Sequence, residues 1–432
     1  MFQYRLRFAF LMAAIAVGML LVAGTASAQP ATDVTFSKDV ASILYEKCAR
    51  CHREGEIAPM SLLTYAETRP WARAIKQKVL SREMPPWHAD PQFGAFQNDL
   101  RLTQTEIDTI AAWVDGGSAE GHAADLPPQP VFHDGWAIGT PDVVFSMPEP
   151  FRVPADGTVP YQHFVIPTNF TEDKWIARVQ AIPGNASILH HIVVYVREPE
   201  PDNEYPGVLI KGSYRPAQDG ATPRQQRLLP GSVLVATGVG TEPAQYEDGS
   251  AMLVRAGAEL IMEIHYTTKG TPDTDQSRIG IVFAEDQPEF HVRTIPVWNT
   301  RFRIPAREAN YEVVSEAEFT EDVVLWTLFP HMHMRGKSFE FRLFYPDGRE
   351  EVLLSVPNYD FNWQRDYFLE EPIKVPKGSR LVCTAYFDNS SANRFNPDPD
   401  AGVSWGEQTW EEMMIGFTTY SVDPSAGRST GQ

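Results

Sequence analysis

The chain is poor in cysteine and in basic residues. It has 3 cysteines among 432 residues, which excludes a fold held together by disulfide bonds. Lys and Arg number 37 against 56 Asp and Glu, so the formal net charge is −19. A strongly acidic protein repels nucleic-acid backbones and anionic lipid surfaces. We therefore expect no nucleic-acid partner, and basic proteins or neutral small molecules as the better binding candidates.

Long apolar runs are also missing, except near the first residue. The run from Phe8 to Gly24 follows Arg5 and Arg7 and precedes the A-S-A sequence that ends at Ala28. This pattern is typical of a cleaved secretory signal over residues 1–28. An uncleaved membrane anchor is the alternative, because the run is close to the shortest length that spans a bilayer. We predict a bacterial export signal, a periplasmic or secreted product, and no stable membrane insertion after cleavage.

Two of the cysteines lie in the sequence Cys48-Ala-Arg-Cys51-His52, a C-x-x-C-H motif. This motif attaches c-type haem, because two thiols one helical turn apart bond to the vinyl groups and the next residue gives the iron an imidazole. A zinc site would need a second ligand pair nearby, and a redox C-x-x-C needs no histidine. We predict one covalently bound haem c on Cys48, Cys51 and His52. The third cysteine, Cys383, is expected to pack in a core.

Helical signals surround this motif. Apolar residues at helical spacing precede it, and T-x-x-E capping boxes at Thr64 and Thr103 each begin a further helix. We expect the second helix to run to about Arg82 and the third to end at Gly116. Three helices within residues 34–120 are typical of a small all-α unit of cytochrome c size.

The sixth ligand of the haem iron is predicted to be Met84, in the sequence R-E-M-P-P-W. The prolines stiffen the loop, and a thioether ligand raises the reduction potential in a way that suits an electron carrier. Met60 and His88 are the alternatives, and core packing is the commoner role of a single methionine. The segment resembles cytochrome c domains whose distal loop carries an M-P-P sequence.

The remainder of the chain differs in character. Residues 121–130 are small residues and prolines without periodicity, which is typical of an extended linker. Beyond them, short apolar and aromatic runs recur between Pro, Gly and Asp turns, a pattern that predicts β-sandwich architecture. Because about 300 residues is large for one sandwich, we divide this region into two domains, residues 131–287 and 288–425.

Histidine motifs lie within the predicted strands. Adjacent strand residues point to opposite faces, so His190 and His191 bind one metal only at a bulge or strand end, or through different ring nitrogens. The alternative is one packed and one surface histidine. His265 shares a strand face with Glu263, and taken alone it would more often be a hydrogen-bonded core residue than a ligand.

The sequence His331-Met332-His333 is a stronger metal signal. Residues i and i+2 on a strand share a face, so both imidazoles reach one ion, while Met332 points to the other face and packs. Near the C-terminus, alternation lets only one of Met413 and Met414 face a given site. A thioether among imidazoles selects copper over zinc, although a methionine considered singly is usually core filler.

In their order, the motifs His-His, E-x-H-Y, H-x-H followed by Gly-Lys, and E-E-M resemble the copper type II, ascorbate-dependent monooxygenases. That family includes peptidylglycine α-hydroxylating monooxygenase and dopamine β-monooxygenase. The resemblance covers roughly residues 140–420 and implies two jelly-roll-like β-sandwich domains with one copper ion each. Its ligand pattern assigns an electron-transfer copper to His190, His191 and His265, and an oxygen-binding copper to His331, His333 and Met413. Unlike the disulfide-rich animal enzymes, this region holds one cysteine, and the substrate contacts of those enzymes have no match in it.

The sequence as a whole predicts a multidomain protein, with a small all-α cytochrome c-like domain followed by two all-β jelly-roll-like sandwiches. The predicted function is an exported copper monooxygenase that hydroxylates a C–H bond of a small molecule with O2. The haem would pass on electrons from an external donor, which is ascorbate-like or another redox protein. The alternative is a non-catalytic haem and copper protein for electron transfer or copper binding. Substrate dehydrogenation at the haem is disfavoured, because two axial ligands leave the iron no open position.

Overall fold

The computed structural model describes residues 34–56, 58–132, 135–199, 208–210, 232–238, 243, 246 and 248–422. The predicted export signal, residues 1–28, lies outside the described residues. A helical segment comes first in the described chain, and β-sheets follow it. No helix in the described ranges has the length and apolar character needed to cross a membrane.

The helical segment follows the local signals of the sequence. Its elements are a π-helical turn (Phe36–Val40), α1 (Ala41–Lys47), α2 (Tyr65–Thr68), a 3₁₀ turn (Arg69–Trp71), α3 (Ala72–Leu80), α4 (Gln104–Asp115) and a 3₁₀ turn (Ala123–Asp125). The capping boxes at Thr64 and Thr103 are both formed, and Gly116 caps α4 at its C-terminal end. The second predicted helix is divided between α2 and α3, because Pro70 lacks the N–H that a continuous helix needs.

These helices bury one apolar face each against a shared core. Leu44 of α1, Val79 of α3, and Ile110 and Trp113 of α4 are all almost completely buried. The Trp113 indole N–H donates to the carbonyl of Ala119 at 2.9 Å, which satisfies the polar atom of the largest buried side chain. The segment therefore has a small apolar core of its own, against which Cys48 and Met60 pack in part.

The β-rich region has the following strands among the described residues. They are β1 (Val143–Ser146), β2 (Phe151–Val153), β3 (Gln162–Pro167), β4 (Lys174–Ile182), β5 (Leu189–Arg197), β6 (Val208–Ile210), β7 (Ser232–Gly238), β8 (Ser250–Val254), β9 (Glu259–Tyr266), β10 (Asp273–Asp275), β11 (Arg278–Phe283), β12 (Phe290–Trp298), β13 (Arg303–Ile304), β14 (Tyr311–Phe319), β15 (Val323–His331), β16 (Gly336–Phe344), β17 (Glu350–Val356), β18 (Tyr367–Val375), β19 (Arg380–Phe387), β20 (Val403–Ser404) and β21 (Ile415–Val422). Short 3₁₀ turns, Ala186–Ile188 and Phe361–Trp363, precede β5 and β18.

The strands form two packed layers in each half of the region. In the first half, the sheet β3-β9-β5-β7 packs against β1, β11, β4 and β8 around one core. In the second half, the sheet β17-β16-β19-β14-β6 packs against β12, β21, β15 and β18 around another. The prediction of β-sandwich architecture is confirmed, and Cys383 is fully buried in the second core as expected. The thiol contributes apolar packing there rather than a covalent link.

The two halves are joined more closely than two separate domains would be. Strands β8 and β12 pair in parallel at Phe290 and His291, so one eight-stranded sheet runs through both halves. Strand β6 precedes residue 287 in sequence, yet it pairs with β14 in the sheet of the second half. The sheet hydrogen bonds therefore fix the relative position of the two sandwiches.

A segment between α3 and α4 also belongs to the second half in space. Trp87, Phe96 and Leu100 lie in the core of the second sandwich, and the N–H of Asp90 donates to the carbonyl of Ser355 at 2.8 Å. The Trp87 and Tyr367 rings pack edge to face with their centroids 5.0 Å apart. These buried aromatic side chains hold the helical segment against the second sandwich.

Candidate metal centres

A β-bulge brings the adjacent histidines into one cluster. The register between β5 and β9 shifts between Leu189 and His191, so His190 is the extra residue, and His191 lies directly opposite His265. The nitrogen atoms with which these three histidines could hold a metal ion all lie within 4.8 Å of one another. The structure thus has the bulge that two neighbouring strand histidines need if both are to bind one metal ion.

Hydrogen bonding leaves ring nitrogens of this cluster free to bind. The Nε2–H of His190 donates to the carbonyl of Asn362 at 3.0 Å, and its Nδ1 then accepts from the Nδ1–H of His191 at 2.9 Å. Within the described chain, the Nε2 of His191 and the Nδ1 of His265 are buried without a partner. Burial without hydrogen bonding is unfavourable for such atoms, and a bound metal ion would remove that cost.

Burial also keeps these imidazoles neutral. It lowers the pKa of His190 to about 4 and, with repulsion from His190, the pKa of His265 to about 3. The pKa of His191 is held well below its ordinary value by burial and by the neighbouring histidines. Since only the neutral imidazole binds a metal ion, the cluster is prepared for a metal at neutral pH.

The second pair of histidines lies at the end of a strand. His331 is the last residue of β15, whereas His333 lies in the turn that leads to β16, so the strand alternation expected for both applies only to His331. Met332, between them, is fully buried in the core of the second sandwich, as predicted. The two imidazole centroids are still 5.3 Å apart, with ring planes at 89°. The turn therefore brings the imidazoles together.

Each imidazole of this pair has its Nδ1 occupied. The Nδ1–H of His331 donates to Oε1 of Gln364 at 2.6 Å, and that of His333 donates to the carbonyl of Glu411 at 3.3 Å. These bonds leave the lone pair on Nε2, and the Nε2 of His333 is buried without a partner in the described residues. Burial lowers the pKa of both histidines, so both are neutral at neutral pH. This is the pattern by which outer hydrogen bonds orient metal-binding histidines.

A buried carboxylate fixes the turn that carries His333. Glu412 is fully buried and accepts from the backbone N–H of His333 at 2.9 Å and of Arg335 at 2.6 Å. Burial raises the pKa of Glu412 to about 8, against the opposing effect of these donors and of the Arg335 guanidinium 3.9 Å away. Sequence reasoning missed this role, although an acidic residue directly before two methionines in an apolar stretch is its visible signal.

The two C-terminal methionines face different surroundings. Met414 is fully buried in the core of the second sandwich. Met413 packs in the apolar cluster between the sandwiches, which contains Phe329 and Phe417. The rings of these phenylalanines lie 6.2 and 6.1 Å from the ring of His331, measured between centroids. Of the two methionines, Met413 is therefore the one on the side of His331.

Two aromatic rings contact both histidine groups. The ring centroid of Tyr161 lies 4.8 Å from that of His265 and 5.9 Å from that of His333. The ring of Phe361 stacks on His190 at 5.5 Å and lies 6.2 Å from His333. The two histidine groups therefore face one another across a shared pair of side chains. Neither ring was singled out from the sequence, because each comes from a distant strand or turn.

The C-x-x-C-H motif follows α1. Cys48 and Cys51 are free thiols, and burial raises the pKa of Cys48 to about 12. The Nδ1–H of His52 donates to the carbonyl of Met60 at 3.3 Å, which leaves its Nε2 as the binding nitrogen. Met84 lies partly buried in the loop after α3. The site thus offers free thiols and an oriented imidazole, while haem attachment itself stays a prediction.

The donor atoms are of types that bind copper. Neutral imidazole binds zinc, copper or iron, but a thioether on the same side as an imidazole pair favours copper, above all Cu(I). The orphaned ring nitrogens of His191, His265 and His333 are the atoms that a metal ion would satisfy. The residues His190, His191 and His265 therefore fit one metal ion, while a second ion at His331, His333 and Met413 stays a prediction.

Comparison with known proteins finds the same kind of relative in several organisms, each at modest sequence identity. No protein-family model matches the chain. "DBH-like monooxygenase protein 1" of Mus musculus is 25% identical over 299 residues, which are 62% of this chain and 45% of that protein. The Homo sapiens protein of the same name is 23% identical over 289 residues, 61% of this chain and 44% of that protein. The chain therefore spans less than half the length of these curated relatives.

Solved structures add no argument about the fold. The match to a structure of an infectious bursal disease virus covers 65% of this chain and 72% of that chain, with a TM-score of 0.20 and 10% identity. The match to a structure of allantoicase covers 55% of this chain and 80% of that chain, with a TM-score of 0.17 and 8% identity. The sequence relationship is therefore the informative one. It supports a relationship between this chain and the DBH-like monooxygenases, which agrees with the copper monooxygenase family that its histidine and methionine motifs resemble.

Proposed function

We propose that this chain is an exported copper-dependent monooxygenase that hydroxylates a C–H bond of a small organic molecule. The observation that carries the proposal is the convergence of five neutral imidazoles in two facing groups, with Nδ1 of His331 and His333 already hydrogen-bonded. The relationship with monooxygenases supports the reaction class. In the balanced reaction, R–H, O2, two electrons and two protons give R–OH and water.

The two groups have different roles in this proposal. His331, His333 and Met413 would hold the copper ion at which O2 reacts, and His190, His191 and His265 would hold the copper ion that supplies the second electron. Copper supplies one-electron chemistry with O2 at such sites. The protein keeps the imidazoles in position: Gln364 and the Glu411 carbonyl hold His331 and His333, and the Asn362 carbonyl holds His190.

The electrons are proposed to come through a haem that Cys48, Cys51, His52 and Met84 would hold. A haem with His and Met ligands exchanges single electrons. The Met60 carbonyl accepts from the Nδ1–H of His52, which would leave the Nε2 of His52 to hold the iron. The external donor is ascorbate-like or another redox protein. Export to the periplasm or beyond accords with the motif and the N-terminal sequence.

Product analysis with labelled dioxygen tests the proposal. The reduced protein, loaded with copper and haem, is incubated with ¹⁸O2 and a pool of small metabolites, and the products are analysed by mass spectrometry. We expect one labelled oxygen atom in an organic product, and none when His333→Ala replaces the wild-type chain. Label in no organic product, with metals and haem fully loaded, would contradict the proposal and favour a non-catalytic electron-transfer or copper-binding protein.

A further inference from the structure

A small cavity lies between the two sandwiches. Its walls come from strands β4 and β7 of the first half and from β12, β15 and β21 of the second half. The enclosed space is about 50 Å³, which holds a few water molecules or the head group of a ligand, but not a whole drug-sized ligand. No histidine of either group is among its described lining residues. The cavity is therefore distinct from the predicted metal ligands.

Three buried threonine hydroxyls form one wall of this cavity. They belong to neighbouring strands, with Thr294 on β12, Thr419 on β21 and Thr327 on β15. The Oγ1 of Thr419 accepts from the hydroxyl of Thr327 at 2.9 Å and lies 2.8 Å from the Oγ1 of Thr294. The side chain of Thr419 also hydrogen-bonds with that of Tyr246. This wall is thus polar, although most of the other described lining residues are aliphatic or aromatic.

A carboxyl group without a partner also lines the cavity. Within the described chain, the side chain of Asp366 makes no hydrogen bond and no ion pair, while its backbone carbonyl accepts from the side-chain amide of Asn98 at 2.8 Å. Burial raises the pKa of Asp366 to about 7, against the opposing charge of Arg365. Arg178, which also lines the cavity, is exposed to solvent. A buried carboxylate without a donor is unfavourable, and a ligand that donates to it would remove that cost.

The register of the central strands places this cavity in line with the second histidine pair. Thr327, Phe329 and His331 occupy alternate positions of β15, so their side chains share one face. Thr419 and Phe417 are the partners of the first two on β21. The rings of Phe329 and Phe417 stack with their centroids 5.7 Å apart, and both contact the ring of His331. At about 3.3 Å per residue, His331 lies about 13 Å along the strand from Thr327.

We propose that this cavity anchors one end of the substrate, and that the substrate is an elongated apolar molecule with a hydrogen-bond-donating head group, a hydroxyl or an amine. The head group would donate to the carboxylate of Asp366 beside the threonine hydroxyls, and the apolar body would lie along the rings of Phe329 and Phe417. The inference rests on the proposed function, because it takes His331 and His333 as the place where the C–H bond reacts. It adds that the hydroxylated carbon is remote from the head group.

The first test is ligand binding to the full-length, metal-free protein, measured by calorimetry at about pH 8.5, where a carboxyl group with a pKa of about 7 is ionised. The probes are 1-octanol, octylamine and 1-methoxyheptane, which have similar lengths, but the ether has no N–H or O–H to donate. We expect both donors to bind at least about tenfold more tightly than the ether, because only they satisfy the carboxylate. Equal binding of all three probes, or binding of none, would overturn the proposal.

Substitutions in the cavity assign this preference to its residues. Asp366→Leu removes the acceptor at similar volume, so the preference for donors should disappear and 1-octanol should bind about tenfold more weakly. Thr327→Val removes one hydroxyl, should weaken the binding of 1-octanol several-fold, and decides if the leucine variant does not fold. The matched control is Asp125→Leu at an exposed position, which should bind all three probes like the wild type. A preference for donors that persists in Asp366→Leu would overturn the proposal.

The orientation of the bound probe is a second test. In protein loaded with Cu(II), nuclear relaxation of bound 1-octanol should be enhanced most at the terminal methyl group and least at the carbon that carries the hydroxyl, because the chain runs toward His331. The reverse order would overturn the substrate assignment. Asp366-dependent binding of 1-octanol without labelled product from any substrate and ¹⁸O2 would overturn the proposed function, while the cavity would remain a binding site for such molecules.

Discussion

At the scale of single residues, the protonation state of each histidine is set by its hydrogen bonds. The rings of His190, His331 and His333 each donate one N–H to a carbonyl or amide oxygen, so the other nitrogen carries a lone pair. Burial then keeps the rings neutral by lowering the pKa of each. The same side chains in an apolar core without these acceptors would be poor ligands and costly to bury.

Replacing one histidine from each group should remove one copper ion at a time. If each group holds its own copper ion, His191→Ala and His331→Ala should each reduce the copper content from about two to about one per chain. Metal analysis after dialysis measures this content. The exposed His122 gives the control variant, His122→Ala, which should keep both ions. Loss of both ions in either single variant, or of neither, would contradict two separate sites.

Gln364 should tune the affinity of the second site without being a ligand. Its Oε1 accepts from the Nδ1–H of His331 at 2.6 Å, and removal of such a partner typically lowers metal affinity by about 10–100-fold. Gln364→Ala should therefore lower the affinity for one copper ion by about this factor in a chelator competition and leave the affinity for the other unchanged. Gln104→Ala, on the exposed face of α4, is the control. Equal affinities in both variants would show that this hydrogen bond has no effect.

At the scale of secondary-structure elements, irregularities position the sites. The bulge at His190 turns two neighbouring imidazoles to one side, and the turn after β15 does the same for His333. The sequence indicates that His190 and His191 need a bulge or a strand end, but it contains no residue that announces a bulge there. The regular strand expected through His333 ends instead at His331, where Glu412 holds the following backbone.

Glu412 should be essential for the turn that carries His333. Glu412→Ala removes the acceptor for two backbone N–H groups, those of His333 and Arg335, and Arg335 is 1% exposed. Leaving a buried N–H group without an acceptor costs about 1–3 kcal/mol in the free energy of unfolding. Urea denaturation of the metal-free protein measures it. The control is Glu411→Ala. The carboxylate of Glu411 accepts from the N–H of Gln408, and its removal should cost about 1 kcal/mol in the free energy of unfolding. Equal losses in both variants would contradict this role.

The pairing of β3 with β9 should depend on pH through His163. His163 lies directly opposite Glu263, and its Nε2 is 2.8 Å from a carboxylate oxygen. Burial alone would lower the pKa of His163, but the hydrogen bond to Glu263 and its charge outweigh burial and raise it. A raised pKa in the folded state stabilises the fold fully below the ordinary value of about 6.5, and this stability is lost as the pH rises through the folded-state pKa.

We therefore expect His163→Gln to destabilise the metal-free protein more at about pH 5.5 than at about pH 8.5. Chemical denaturation of wild type and variant at both pH values gives the difference. His122→Gln, at an exposed position, serves as the control and should show no such trend. A destabilisation by His163→Gln that is constant or grows with pH would contradict the ion pair.

At the scale of the whole molecule, local features were predictable and long-range contacts were not. The helices of residues 34–120 follow from capping boxes at Thr64 and Thr103, and the β-sandwich architecture follows from short apolar runs. The packing of Trp87 into the second sandwich has no local signal, because it depends on Tyr367, which is far away in sequence. For the same reason, the contacts of residues 361–364 with both histidine groups could not be inferred from the sequence.

This packing places the helical segment, the turn at residues 361–365 and the two histidine groups in one contiguous structure. Trp87, in the loop after α3, packs on Tyr367, and residues 361–364 contact both histidine groups. We propose that a haem at the C-x-x-C-H motif and the copper sites act as one electron-transfer system during the reaction with O2. A haem with two axial ligands has no open position for O2, so its own reaction with air is slow.

The most direct measurement is the rate of haem reoxidation. Copper-loaded protein is fully reduced without oxygen, mixed rapidly with aerated buffer, and followed by haem absorbance; copper-free protein and copper-treated His333→Ala are measured in the same way. We predict rapid reoxidation in the copper-loaded wild type and slow reoxidation in the other two. A haem that is reoxidised at the same rate in all three samples would contradict the account.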